Sequence, residues 1–177
     1  QWECGMSAGS TSVRAWIGLG GNLDDPKSAI RDALTRLNQE ADVEVEAVSS
    51  LYRTAAVGVT DQPDFLNAVA RLVTKRDPEG LLQTLLGIET ALGRVRSGVQ
   101  FGPRNIDLDL LLYGEVEMAT RSLTVPHPRM HLRRFVLEPL YEIDGDLTLP
   151  GGRRVSYLLE QSRDQGVAHA GSIEVPR

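Results

Sequence analysis

The sequence has few of the residues and segments that are typical of several common classes of protein. Its 177 residues include one cysteine, Cys4, and aromatic residues make up only 5%. A single cysteine excludes a disulfide framework within the chain and favours a reducing compartment, so we expect a cytoplasmic protein. No apolar run approaches the roughly 20 residues of a membrane span, and no signal peptide is recognisable, so we expect no membrane association.

An excess of positive charge is also missing. The formal net charge is -5, whereas a general nucleic-acid-binding protein presents a basic surface to the phosphate backbone. We therefore expect no nucleic-acid partner. The positive charges are nevertheless clustered, because three arginines and no acid lie between Gly93 and Ile106, and three more arginines and His131 lie between Pro128 and Phe135. Two local cationic segments in an acidic chain indicate a small anionic ligand.

Length and composition predict one globular domain. The chain is long enough to bury a core, and its 41% hydrophobic and 24% charged residues are ordinary for such a domain. We place the domain at residues 13–162 and expect it to be a monomer. Residues 1–12 carry no fold signal and are expected to be a disordered or added N-terminal segment. Residues 163–177 are expected to form a loosely packed C-terminal tail.

Hydrophobic periodicity predicts the order strand, helix, strand, strand, helix, strand, followed by shorter elements. The predicted long elements are strand 13–19, helix 26–40, strand 43–52, strand 65–74, helix 78–93 and strand 106–113. We further expect a short helix 135–143 with Pro139 in its first turn, a small edge strand 147–149 and a last helix 155–161. This order is typical of an α+β fold of the ferredoxin-like, or split βαβ, type. In that plan helices cover one face of an antiparallel sheet and the ligand binds on the other.

The most informative pattern lies in the segment 102–113, where Asp107 and Asp109 are the only charges in an apolar run. In a strand both carboxylates point to one face. The same alternation predicts four apolar side chains on the opposite face: Ile106, Leu108, Leu110 and Leu112. Neighbouring carboxylates repel each other, and Mg²⁺ bound to them together with substrate phosphates would relieve that repulsion. A solvated acidic face and salt bridges to arginine are the alternatives.

Two other positions hold polar or aromatic groups in defined directions. Phe65 and Asn67 fall on one face of the third predicted strand, where they could bind a flat polar ligand or simply pack across strands. His127 lies between Pro126 and Pro128, which restrict the backbone to an extended conformation and fix the direction of the side chain. A lone histidine in that setting is compatible with either a structural or a catalytic role.

The loop from Gly93 to Pro103 combines glycines with Arg94, Arg96 and Phe101. Glycine allows such a loop to move and arginine can bind phosphate oxygens through a fork of donors, so a mobile cover over an anion is one interpretation. A solvent-exposed basic loop is the other.

The first predicted strand ends in Gly18-x-Gly20-Gly21. A dinucleotide-binding fingerprint is a poor interpretation, because its third glycine position is Leu23 and no acidic residue ends a suitable second strand. We favour a simple tight turn. The segment 54–64 is predicted to be a long loop, and such loops are usually functional or disordered.

Six ordered motifs together resemble a known enzyme family. They occupy residues 20–23, 49–54, 61–68, 93–96, 101–109 and 123–128. From about residue 15 to residue 144, the chain closely resembles 6-hydroxymethyl-7,8-dihydropterin pyrophosphokinase of folate biosynthesis. Several well-spaced motifs in the right order are much more specific than any one of them.

The resemblance implies transfer of a pyrophosphoryl group from ATP to the hydroxymethyl oxygen of a reduced pterin, with release of AMP and with two Mg²⁺ ions. The implied catalytic residues are Arg94, Arg104, Asp107 and Asp109, and the two aspartates also hold the metal. The implied ATP-binding residues are Glu89, Arg96, Arg104, Leu110, Thr124, His127 and Arg133. The implied pterin-binding residues are Thr54, Ala55, Ala56, Val57, Phe65, Asn67, Phe101, Asp107 and Phe135. The three phenylalanines of the chain all fall in this last group.

The sequence departs from the family pattern at a few positions. Ala55-Ala56 replace a frequent Pro-Pro pair, Leu86 replaces a glutamine and Ser122 replaces a common arginine, which affects expected nucleotide affinity more than activity.

Two other functions are compatible with the predicted fold. One is an RNA-binding module, which the acidic balance and few aromatics disfavour. The other is a regulatory domain that binds nucleotide without consuming it.

Overall fold

The structure, a computed structural model, describes residues 11–55, 63–93 and 106–177. Within these ranges the predicted order of long strands and helices is confirmed. The elements are β1 (Val13–Gly21), α1 (Pro26–Gln39), β2 (Val43–Val48), β3 (Tyr52–Thr54), β4 (Phe65–Thr74), α2 (Pro78–Gly93), β5 (Asp107–Tyr113), β6 (Met118–Ala119), β7 (Thr124–Val125), α3 (Arg134–Ile143), α4 (Val155–Gln161) and β8 (Ala168–His169). A single 3-10 turn, Met130–Leu132, precedes α3.

One antiparallel sheet organises the chain. Its strand order is β5-β1-β4-β3-β8, and β2 also pairs with β4. The predicted single strand from residue 43 to residue 52 is interrupted, so that β2 and β3 pair with successive parts of β4. Ser49 bridges the interruption, because its N–H donates to the carbonyl of Val69 and its hydroxyl accepts from the N–H of Val69, both at 2.9 Å. The α+β class with an antiparallel sheet is therefore confirmed.

Helices α1 and α2 cover one face of the sheet. Asp25 caps α1 by accepting a hydrogen bond from the N–H of Ser28, and Asp77 accepts one from the N–H of Gly80 at the start of α2. Each helix then buries an apolar stripe against alternate residues of β1, β4 and β5. The buried residues of these stripes are Ile30, Ala33, Leu34 and Leu37 in α1, and Leu81, Leu85 and Ile88 in α2.

Helices α3 and α4 cover part of the opposite face. Trp16, Val69 and Leu111 form a second core with apolar residues of these two helices. The cover is incomplete, since the same face continues beyond Trp16 to Gly18 and Gly20, which line a cavity. The sheet is therefore covered on one face and half-covered on the other, because the hydrophobic residues at this end need a second layer.

The predicted face of Leu112 is wrong. Trp16 pairs with Leu112 and Ile17 pairs with Leu110, so the register shifts at this point and Leu111 has no partner in the ladder. Such a β-bulge inserts one residue and changes the alternation beyond it. Leu112 therefore joins Leu111 and Trp16 in the second core. Asp107 and Asp109 precede the bulge, and their shared face is unaffected.

Two smaller expectations also differ from the structure. Helix α3 begins at Arg134, so Pro139 lies inside the helix and not in its first turn. Proline has no N–H, so the carbonyl of Phe135 lacks its usual helical donor. The expected edge strand 147–149 is a single bridge between Thr148 and Arg154. The chain reverses at Gly151 and Gly152, both with positive φ, before a longer ladder can form.

The C-terminal segment is tied to the sheet over part of its length. Strand β8 pairs with β3, and the N–H of Ala170 donates to the carbonyl of Leu51 at 2.8 Å. Ala170 and Ile173 also pack against the first core. Backbone hydrogen bonds thus hold residues 168–171, and Ile173 is held by packing, within the segment 163–177 that was expected to be loosely packed. Across the described part of the chain, no helix combines the length and the apolar character needed to cross a bilayer.

Candidate active site

A cavity of about 730 Å³ lies over the uncovered end of the second sheet face. Four strands, β1, β3, β4 and β5, contribute to its walls together with the start of α3 and the C-terminal segment. The lining residues are Gly18, Leu19, Gly20, Thr54, Ala55, Phe65, Asn67, Ala68, Asp107, Asp109, Arg133, Phe135, Val136, Gln165, Gly166 and Val167. A cavity of this size accommodates a small organic molecule together with part of a second one.

Asp107 and Asp109 line the same cavity, as the alternation of the strand predicted. Both side chains are exposed, whereas Ile106, Leu108 and Leu110 are buried. The pairing explains why the carboxylates face open space, since Asp107 lies opposite Gly20 and Asp109 lies opposite Gly18. A glycine opposite each carboxylate leaves the cavity floor free of neighbouring side chains.

The conformation of Asn67 depends on two neighbours. Gly20 pairs with Asn67 across β1 and β4, and a Cβ added to Gly20 would lie 2.9 Å from the Oδ1 atom of Asn67. Carbon and oxygen do not approach that closely without displacement, so any other residue at this position would shift the amide of Asn67. On the other side, the Nδ2 atom of Asn67 donates to the Oγ1 atom of Thr54 at 3.1 Å. These contacts fix the amide plane at the cavity wall.

Two aromatic rings, Phe65 and Phe135, lie partly buried at the cavity. The guanidinium carbon of Arg133 lies 5.6 Å from the centroid of the Phe135 ring, a cation–π arrangement. The cavity therefore offers ring faces, an amide, two carboxylates and a cation that lies over one of the rings. This distribution fits a flat polar heterocycle bound next to a charged group.

Glu89 lies beneath the acidic strand. It is only 7% exposed, and its Oε2 atom accepts a hydrogen bond of 2.7 Å from the N–H of Leu108. Leu108 stands between the two aspartates in β5. Glu89 therefore ties the strand backbone between the two aspartates to helix α2.

His127 lies beside the acidic strand. Its backbone N–H donates to the carbonyl of Leu111, and its Nδ1 atom accepts from the N–H of Arg129 at 3.1 Å. Burial lowers the pKa of His127 below its usual value; the charge of Asp109 opposes this, while the nearby arginines reinforce it. The ring is therefore neutral at pH 7 with its proton on Nε2, where it can donate to an oxygen.

The structure places eight of the residues implied by the resemblance in the lining of this cavity: Thr54, Ala55, Phe65, Asn67, Asp107, Asp109, Arg133 and Phe135. The lining does not include four other predicted residues, Glu89, Leu110, Thr124 and His127. Leu110 is buried in the first core, and Thr124 is exposed on β7. Six further predicted residues lie outside the described part of the chain: Ala56, Val57, Arg94, Arg96, Phe101 and Arg104.

Several cavity residues were not predicted. Gly18 and Gly20 were assigned to a tight turn, but β1 continues to Gly21 and both glycines form the cavity floor. Glycine in a strand interior indicates close approach by another group, and that signal could have identified them. Gln165, Gly166 and Val167 had no comparable signal, because only the tertiary fold brings the C-terminal segment to the cavity.

The aspartate pair fits one kind of metal. Among the residues that the structure describes, no group of three or more His, Cys, Asp or Glu side chains is placed to hold an ion. Two exposed carboxylates on one strand face suit Mg²⁺, which keeps several waters and takes further oxygen ligands from substrate phosphates. The donor set is therefore compatible with magnesium that enters with a nucleotide.

Comparison with known proteins places the chain among the pterin pyrophosphokinases. Residues 16–145 match the model of the family described as 7,8-dihydro-6-hydroxymethylpterin-pyrophosphokinase (HPPK). The 2-amino-4-hydroxy-6-hydroxymethyldihydropteridine pyrophosphokinase of Haemophilus influenzae is 41% identical over 152 residues, which cover 86% of this chain and 94% of that protein. The enzyme of the same name from Bacillus subtilis is 46% identical over 129 residues, covering 73% and 77%. The chain belongs to the HPPK family.

Solved structures of low sequence identity to this chain also support the fold. A wild-type HPPK-DHPS protein of Plasmodium falciparum, crystallised with pteroate, superposes with a TM-score of 0.67 at 12% identity over 85% of this chain. An HPPK-DHPS in complex with substrates gives a TM-score of 0.69 at 11% identity over 86%. The chain spans less than half the length of these proteins, 42% and 43%, so the likeness concerns one part of them.

Proposed function

We propose that this protein transfers pyrophosphate from ATP to 6-hydroxymethyl-7,8-dihydropterin, giving AMP and the pterin pyrophosphate in folate biosynthesis. Membership of a pyrophosphokinase family supports an enzyme of this reaction type. The observation that carries the proposal is one cavity in which Asp107 and Asp109 lie next to Asn67 and the two phenylalanines. It offers an anion-handling region and a ring-binding region at a short distance from each other.

The ring-binding region would hold the pterin. Phe65 and Phe135 offer faces for a flat bicyclic ring, and the amide of Asn67 offers both a donor and an acceptor to its polar edge. Thr54 fixes that amide through the 3.1 Å hydrogen bond, so little conformational freedom is lost on binding. Backbone around residues 54–57 would contact the pterin edge, as the resemblance implies.

The anion-handling region would bind the triphosphate. Asp107 and Asp109 would hold Mg²⁺, which when bound neutralises phosphate charge and orients the reacting groups. Arg133 brings a positive charge to the cavity wall, and the Nε2 proton of His127 can donate to a phosphate oxygen. Arg94, Arg96 and Arg104 would close over the phosphates, and Glu89 supports the acidic strand from below.

Positioning and charge stabilisation account for most of the chemistry that the protein must provide. The pterin hydroxymethyl oxygen attacks the β-phosphorus of ATP in line with the departing AMP, and no covalent intermediate with the protein is needed. The hydroxyl proton passes either to the carboxylate of Asp107 or to solvent. The residues around the cavity bring the two substrates together in the correct orientation.

Finer features belong to the same proposal. The order of strands β5, β1, β4 and β2/β3 supports a ferredoxin-like plan, since it places the first and third long strands at the centre. We further propose two magnesium ions, a single domain over residues 13–162, and a monomer that works in the cytoplasm.

Product analysis tests the proposal directly. The protein is mixed with ATP, MgCl₂ and the reduced hydroxymethylpterin, and nucleotides and pterins are separated by chromatography. We expect AMP and pterin pyrophosphate in equal amounts, and none with a 6-methylpterin, which lacks the accepting oxygen. Formation of ADP would indicate a simple kinase, while binding without consumption of ATP would indicate a regulatory domain. Either result would overturn the proposed reaction.

A further inference from the structure

The C-terminal segment forms one wall of the cavity, although no motif assigned it a role. Gln165, Gly166 and Val167 lie in the cavity lining together with the glycines of β1. The segment runs from the end of α4 at Gln161 to strand β8, so it crosses from the α3 side of the cavity to the β3 side.

The side chain of Gln165 is bonded to the backbone on both sides of Arg133. Its Nε2 atom donates to the carbonyl of Leu132 at 2.7 Å, and its Oε1 atom accepts from the N–H of Arg134 at 3.0 Å. A carboxamide is suited to this position because it carries one donor and one acceptor on the same planar group. A single side chain thereby bonds to both peptide groups that flank Arg133.

The second of these bonds also completes a helix. Arg133 is the N-cap of α3, and its own side chain makes no capping hydrogen bond. The N–H of Arg134 is one of the groups that a helix N-terminus leaves without an internal acceptor. Gln165 supplies that acceptor from a distant part of the chain, and this fixes the direction in which α3 leaves the extended residue Arg133.

Arg133 is the residue whose side chain this arrangement orients. Its guanidinium carbon lies over the ring of Phe135, and both residues line the cavity. The cation–π contact constrains the distal end of the side chain, while Gln165 constrains the backbone at its base. The far end of the C-terminal segment is anchored through β8 to β3, whose Thr54 orients Asn67.

We propose that Gln165 is a positioning residue that sets Arg133 for the phosphates of a nucleoside triphosphate. This inference rests on the proposed function, since it assigns Arg133 to the nucleotide. Loss of the bonds from Gln165 removes two of the hydrogen bonds that hold the backbone at residues 132–134, so Arg133 is less well ordered before the nucleotide binds. The effect therefore falls on the nucleotide and is small for the pterin.

The test compares Gln165→Ala and Gln165→Glu with a matched control, Gln161→Ala, which removes an exposed glutamine four positions earlier in α4. We expect Gln165→Ala to raise KM for ATP about three- to ten-fold, the size of one or two hydrogen bonds, with the melting temperature near that of the control. KM for the pterin should change by less than about two-fold. Gln165→Glu keeps an acceptor for the N–H of Arg134 but cannot donate to the carbonyl of Leu132, so it should also raise KM for ATP.

A double-mutant cycle decides whether Gln165 acts through Arg133. In an Arg133→Ala background, the Gln165→Ala change should have no further effect on KM for ATP. An equal effect in both backgrounds, wild-type behaviour of Gln165→Glu, or the same loss in the Gln161 control would overturn the proposal.

The proposed function and this inference fail separately. If the wild-type protein forms no AMP, the function is wrong, and the same variants are then compared by calorimetry with a non-hydrolysable ATP analogue and Mg²⁺. If wild type turns over ATP and Gln165→Ala matches it, only the role of Gln165 is wrong.

Discussion

Asp107 and Asn67 face the same cavity from strands β5 and β4, and Gly20 of the intervening strand β1 pairs with both of them. This row of three residues brings a metal-binding type of side chain and a ring-binding type of side chain to one surface. Because the middle residue has no side chain, nothing on β1 separates the two functional groups. The relationship explains how an acidic strand and an amide far apart in sequence form one site.

The aspartate pair should be essential for turnover but not for folding. We expect Asp107→Asn and Asp109→Asn each to lower kcat/KM by at least about 100-fold, the usual loss when a main electrostatic group is removed. Their melting temperatures should stay close to that of wild type, since both side chains are exposed. Asp146→Asn, an exposed position outside the cavity, is the control. Near-normal turnover in either site variant would show that these carboxylates are not needed.

Gly20 should not tolerate a methyl group. Gly20→Ala places a Cβ 2.9 Å from Oδ1 of Asn67, so the amide must move and KM for the pterin should rise about ten-fold or more. The control is Gly87→Ala in helix α2, where an added Cβ meets nothing within 4 Å. That change should stabilise the protein by about 0.5–1 kcal/mol through helix propensity. Unchanged pterin kinetics for Gly20→Ala would refute the steric argument.

Thr54 should act on the pterin through Asn67. Thr54→Val keeps the shape of the side chain but removes the oxygen that accepts from Nδ2 of Asn67. We expect KM for the pterin to rise by about two- to ten-fold with KM for ATP unchanged. Thr35→Val on the exposed side of α1 serves as a matched control in the same steady-state assay. A parallel rise in both KM values would point to a general disturbance of the cavity.

Glu89 should contribute to stability and catalysis together. Glu89→Ala leaves the buried N–H of Leu108 without this acceptor and should lower the free energy of unfolding by about 1–3 kcal/mol. Because Leu108 lies between the aspartates, kcat should fall as well. Glu89→Gln retains an accepting oxygen and should lose less of both, as measured by urea denaturation and product formation. If Glu89→Ala and Glu89→Gln lower stability and kcat equally, the negative charge of Glu89 is important and the hydrogen bond is not.

Part of the stability of the protein should depend on the ionised carboxylate of Glu46 and should be lost in acid. Burial raises the pKa of Glu46, but hydrogen bonds and charge from Arg71 and Arg14 outweigh burial, so its pKa lies below the ordinary value of 4.5. A carboxyl group whose pKa is depressed in the folded state contributes its full stabilisation at pH values above its ordinary pKa. That stabilisation is lost as the pH falls through the pKa of the folded state.

The matching experiment is a pH series of thermal melts. Glu46→Gln should melt below wild type at pH 7, and the difference should shrink as the pH falls below about 4.5. The cause is that wild type then also carries an uncharged group beside Arg71. A constant difference across this range would rule out the ion pair as its source.

Local patterns predicted much of this protein. Alternation in the segment 106–110 correctly placed Asp107 and Asp109 on one face, and the Asp-Pro pairs correctly marked the starts of α1 and α2. These features depend on neighbours within a few residues, so a single sequence contains them. The resemblance to the pterin pyrophosphokinases likewise depended on ordered motifs, and family membership is confirmed.

Other features depend on residues that are far apart in sequence. The register shift opposite Trp16 turned Leu112 to the second core, and the register of a bulge is set by packing on both sheet faces. Glu89 was predicted as a nucleotide contact, yet its hydrogen bond to Leu108 appears only when α2 lies against β5.

The sequence alone therefore determined the order of the elements, the acidic face of β5 and the family, because each is written in short-range periodicity or in contiguous motifs. Only the tertiary structure decided that Gly20 lies between Asp107 and Asn67, and that Gln165 reaches the backbone around Arg133. Strand register and the path of the C-terminal segment follow from how the whole chain buries its apolar surface. No local pattern in the sequence specifies those contacts.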